Sequence, residues 1–125
     1  ALGAQHPETM IAAADLAQAW LALGQFRESE RLAREALEFH KRKQPDDWQR
    51  YRAESLLGAS LVGLRRYAEA EPLLLEGHRG MDERKESVGW MGVSRAYYLD
   101  LAREWTAELY ERSGQPKKAA EWTKP

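Results

Sequence analysis

The segment Phe26-Arg27-Glu28-Ser29-Glu30 returns 41 residues later as Tyr67-Ala68-Glu69-Ala70-Glu71, and its surroundings return with it. At that offset Leu16-Ala17 falls on Leu57-Gly58, Trp20 on Leu61, Leu23 on Leu64, Leu32 on Leu73 and Ala36 on Gly77. A third copy lies 90 residues from the first, where Gly114-Gln115-Pro116 falls on Gly24-Gln25-Phe26, Ala107 on Ala17, Tyr110 on Trp20 and Ala119 on Ser29. A unit this short cannot bury a core alone, so the units must stack on one another.

Each unit reads as two helices. Alanine (19), leucine (16), glutamate (15) and arginine (13) dominate, all strong helix formers, while valine, isoleucine and threonine together number seven. Pro7-Glu8 makes a first turn, and Ile11, Ala14, Leu16, Ala17, Trp20, Leu21 and Leu23 recur at helical spacing until Gly24. A second helix is predicted from Phe26 to Lys43, with Glu28 and Glu30 early and Lys41, Arg42 and Lys43 late, the order that suits a helix dipole. Gln44-Pro45-Asp46-Asp47 is a turn that caps a third helix ending near Leu64. A fourth runs from Tyr67 towards Arg84, with Pro72 inside it removing one backbone hydrogen bond. Lys85 to Ser94, with Gly89 and Gly92, reads as a loop or a frayed start; a fifth helix reaches Ser113 and a short sixth follows Pro116. The expected fold is all-α, in three antiparallel pairs over residues 7–43, 46–84 and 94–123 of a single domain, 1–125. The small residues repeat because only Gly, Ala or Ser fits where the two helices of a pair cross closely.

The small and large positions Ala17, Trp20, Gly24, Phe26, Ser29 and Ala36, then Gly58, Leu61, Tyr67, Ala70 and Gly77, resemble tetratricopeptide repeats (TPR). That resemblance implies a helical-hairpin solenoid coiled into a right-handed superhelix. The longer period and the opening Leu2-Gly3…His6-Pro7-Glu8-Thr9 are similar to the kinesin-light-chain subtype. Arg66-Tyr67-Ala68-Glu69-Ala70-Glu71-Pro72 and Gly114-Gln115-Pro116-Lys117-Lys118-Ala119-Ala120-Glu121-Trp122 resemble the C-terminal repeat regions of bacterial serine/threonine kinases. Arg65 where the first pair has Gly24, Thr106 where it has Leu16, and Pro116 where it has Phe26 depart from the pattern.

Other classes are disfavoured by what the 125 residues contain. With no cysteine there is no disulfide framework, Cys-type zinc site or thiol nucleophile. A formal net charge of −1 argues against nucleic-acid binding driven by bulk charge, and no apolar run approaches a membrane span. The compartment is left open, leaning to the cytoplasm, and the start at Ala1 reads as a processed or excised piece. His6, His40 and His78 are scattered, so surface or capping histidines are expected rather than a metal site. The glycines do not form a phosphate loop, no kinase catalytic signature occurs, and the carboxylates of the second helix alternate with arginines as solvated pairs. No enzyme activity and no cofactor is expected. Trp20, Trp105 and Trp122 fall in register with core positions. Trp90 with Met91 reads equally as a contact element or as a flap folded over the fifth helix.

A solenoid of this kind works through its concave face, lined by the first helix of each pair. In register, that face takes Ile11, Ala14, Gln18, Leu21 and Ala22, then Arg52, Ser55, Ala59, Val62 and Gly63, then Leu101, Glu104, Glu108, Glu111 and Arg112. Of these, Gln18, Leu21, Arg52, Ser55, Ala59 and Val62 are the candidate partner contacts. The Lys, Asn and Arg clamp of chaperone-binding TPR domains is absent. The expected partner is a protein or peptide, an amphipathic or basic-ended helix or extended segment. The competing readings are a structural spacer, a self-associating segment, and the peptide-signal-binding part of a helical transcription regulator.

Overall fold

The computed structural model describes residues 6–90 and 92–123. Ala1, Leu2, Gly3 and Met91, named above, lie outside them. Six helices follow one another: α1 (Pro7–Ala22), α2 (Phe26–Lys43), α3 (Trp48–Gly63), α4 (Tyr67–Glu83), α5 (Arg95–Arg112) and α6 (Pro116–Thr123). The molecule is an all-α TPR-type solenoid in which α1 pairs with α2, α3 with α4, and α5 with α6. Each pair also packs on the next, α2 on α3 and α4 on α5.

Three starts are capped by side chains: His6 Nδ1 accepts from Glu8 N, Asp47 from Gln49 N, and Ser94 from Tyr97 N. The turn within each pair is built identically. The amides of Gln25, Arg66 and Gln115 reach back to the carbonyls of Trp20, Leu61 and Tyr110 at 2.9, 2.9 and 2.7 Å. This closure needs a left-handed residue, supplied by Gly24 (φ 77°), Arg65 (φ 64°) and Gly114 (φ 77°). The departure at Arg65 therefore changes the residue and not the turn. Pro72 sits inside α4 without ending it.

The small residues lie where the helices nearly touch. Ser29 Oγ donates to the Ala17 carbonyl at 2.8 Å, tying α2 to α1. A Cβ on Gly58 would lie 2.6 Å from Leu74 Cγ and 3.3 Å from the Ala70 carbonyl. One on Gly77 would meet Ser55 Oγ at 2.3 Å and the Tyr51 carbonyl at 2.8 Å. The main core joins all three pairs through Ala17, Leu32, Ala36, Leu57, Leu61, Leu74, Leu109 and Ala119, with Trp20, Trp105 and Trp122 packed against it. A second cluster gathers Trp48, Tyr51, Met81, Val88, Tyr98 and Ala102 beneath the loop before α5.

One sequence expectation needs correcting. His40 is not a surface histidine: it is fully buried on α2, its ring edge-on to Phe39 at 5.4 Å, and burial lowers its pKa. The sequence around it, Phe39-His40-Lys41, gives no hint, because the following basic residues suggest a solvated helix end. The loop from Lys85 to Ser94 is partly organised: Trp90 and Val93 exchange backbone hydrogen bonds at 3.2 and 2.9 Å across a turn with Gly92 at φ 85°.

Candidate functional site: the groove between the first helices

The first helices of the three pairs, α1, α3 and α5, enclose a groove in two connected parts. The larger, about 730 Å³, lies between Asp15, Gln18 and Ala22 of α1, Arg52 of α3, and Trp90, Val93, Tyr97 and Tyr98 beyond it. The smaller, about 370 Å³, continues past Leu21, Ala59 and Gly63 to Leu101, Trp105, Glu108 and Arg112. Gln18, Ala22 and Tyr97 border both parts.

A polar chain crosses the groove floor. The Arg52 guanidinium is buried, and its Nη2 donates to Asp15 Oδ1 at 2.8 Å and to Gln18 Oε1 at 3.0 Å. Gln18 then donates through Nε2 to the Tyr97 hydroxyl at 2.7 Å. The guanidinium also lies 5.1 Å from the centre of the Tyr98 ring, a cation–π contact. Burial raises the Tyr98 phenol pKa, with Arg52 opposing the rise. This chain couples α1, α3 and α5, so the groove walls are held at a set spacing. At the far end Glu108 and Arg112 pair at 2.9 Å on the surface. The exposed apolar side chains nearby are Trp90, Val93 and Tyr97, all on one rim.

Of the six sequence candidates, Gln18 borders both parts, Arg52 the larger, and Leu21 and Ala59 the smaller. Ser55 and Val62 are placed elsewhere. Ser55 is fully buried against Gly77 of α4, and Val62, 1% exposed, belongs to the main core. Both support the groove wall from behind. The lining residues that sequence reasoning missed include Asp15, Val93, Tyr97, Tyr98 and Trp105. Tyr97 and Trp105 stand four positions before and after Leu101, on the same helical row, so extending that row would have found them. Trp90 turns out half-exposed on the rim.

A second cavity of about 660 Å³ opens between α4, α5 and α6, bordered by His78, Asp82, Arg95, Leu99 and Trp122. His78 stands edge-on to Trp122 at 5.0 Å, and burial lowers its pKa against the opposing pull of Asp82. Among the described residues no group of three or more His, Asp or Glu side chains is arranged to hold a metal ion. None of the helices described is long and apolar enough to cross a membrane.

Residues 9–43, most of α1 and all of α2, match the tetratricopeptide repeat family. No curated protein matches the chain. The match supports a tetratricopeptide repeat domain. That family generally mediates protein–protein interaction, which directs attention to the groove.

Proposed function

We propose that this chain is a non-catalytic interaction module that takes a peptide or helix of a protein partner between α1, α3 and α5. The observation that carries this is the continuous groove itself, apolar along Leu21, Leu101 and Trp105 and polar at Gln18 and Arg52. Its mixed lining suits an amphipathic segment: apolar side chains would enter beside Trp105 and Tyr97, and backbone groups would meet Gln18. The likeness of the later repeats to kinase repeat regions favours a recruitment or regulatory role within a bacterial signalling protein. Gln18, Leu21, Arg52 and Ala59 are the proposed contacts from the first two pairs, with Ser55 and Val62 behind them.

Ala22 is the residue with which to test it, being exposed and shared by both parts of the groove. Ala59, 5% exposed, would disturb the packing instead. Ala22→Arg fills the groove with a long cation and leaves the helix crossings alone. Affinity capture should retain a partner on the native chain and lose it on Ala22→Arg, with both forms equally helical by circular dichroism. Capture that is indifferent to Ala22→Arg contradicts the proposal.

A further inference from the structure

We infer that the free side of α1 is a stacking surface for the second helix of a further repeat pair. The internal register carries this, because the same column of residues occurs three times and is covered twice. Ala12, Leu16 and Ala19 of α1 correspond to Ala53, Leu57 and Ser60 of α3 at the offset of 41, and to Ala102, Thr106 and Leu109 of α5 at the offset of 90. On α3 these residues are 0, 2 and 0% exposed, and on α5 they are 0, 0 and 1% exposed. On α1 Ala12 and Ala19 are exposed, Leu16 is 48% exposed and Leu23, next in the row, is 70% exposed. All four share one face of the helix.

The molecule also shows what covers such a column. On α3 it is α2, whose Ser29 accepts a hydrogen bond from Ser60 at 2.7 Å and whose Phe26 ring fills the space a Cβ on Gly63 would need. On α5 it is α4, where Tyr67 borders Leu109 and Glu71 accepts from the Tyr110 hydroxyl at 2.8 Å. The occupant of the α1 face is accordingly a helix that opens on an aromatic residue, with a small residue three positions later. A second copy of the chain stacked head to tail fits poorly. Where the first two pairs place Ala14, Gln18 and Leu21, then Ser55, Ala59 and Val62, α5 would bring Glu104, Glu108 and Glu111 to the junction.

The test adds a duplicate of the first helix pair ahead of the full chain, in the 41-residue register. Urea unfolding is measured for the native and extended chains, each with Leu16 and with Leu16→Asp. The expected result is that Leu16→Asp changes the unfolding equilibrium constant about tenfold or more in the extended chain and much less in the native one. A Leu16→Cys thiol should react quickly with a labelling reagent in the native chain and slowly in the extended one. Equal effects in the two chains, equal thiol reactivity, or an added pair that stays unfolded would each overturn the inference. So would a native chain that is dimeric in solution and made monomeric by Leu16→Asp, since a second copy would then be the occupant.

Discussion

Arg65 shows how one backbone angle can be shared by unlike side chains. It holds φ 64° where the other two pair turns have glycine. A side chain in that region is strained by roughly 1–2 kcal/mol, partly offset by the entropy a glycine would lose. Arg65→Gly should therefore raise stability by up to ~1 kcal/mol. Gly24→Ala should lower it by about 1 kcal/mol, because a Cβ there meets nothing within 4 Å and the backbone angle is the sole penalty. Urea midpoints of the two variants check both signs.

Glu54 is the other informative residue. It is 2% exposed, pairs with Arg50 at 3.2 Å, and has its pKa pushed up to about 7, first by burial and then by Glu76. A carboxyl whose pKa is raised by folding stabilises fully below its ordinary value of 4.5, and that contribution is lost as pH rises through about 7. The loss is on the order of 3 kcal/mol. The native chain should therefore lose stability as pH rises from 4.5 through about 7, and Glu54→Gln should flatten that fall. An unchanged slope would show that other groups set it.

At the scale of the element, the sequence pattern and the structure agree closely because the information is local. Proline at the first turn, a capping Asp47 or Ser94, and a break at Gly24 are each decided within a few residues. The repeated Ala17, Gly58 and Ala107 mark the crossings for the same reason. Putting Leu at Ala70, fully buried beside Gly58, should cost about 1–3 kcal/mol. The neighbouring exposed position, Ala68→Leu, should change stability by less than ~0.5 kcal/mol. What one helix could not reveal was how completely α3 is enclosed. From Trp48 to Val62 every residue of α3 except Arg50 is buried, because α1, α2, α4 and α5 all pack on it. Ser55 and Val62 therefore have the spacing of a groove face and the surroundings of a core. His40 was hidden similarly: it is fully buried, and Arg52 of α3 is close enough to oppose its charge.

For the whole molecule, the register that identified the repeats also locates the groove, since the first helices α1, α3 and α5 come together in order. The polar chain from Asp15 through Arg52 and Gln18 to Tyr97 spans sequence separations of up to 79 residues. Nothing local announces it. Removing its middle member with Gln18→Ala should leave the Arg52 contact to Asp15 in place and free the Tyr97 hydroxyl. Stability should fall by about 1 kcal/mol, and partner binding should weaken by more than that alone explains. The measurement that bears most directly on the groove is photo-crosslinking from a benzophenone side chain at Ala22, compared with one at Glu28 on the exposed outer side of α2. The account predicts one protein species joined through position 22 and none through position 28. Joining through position 28 alone, or through both equally, would contradict it.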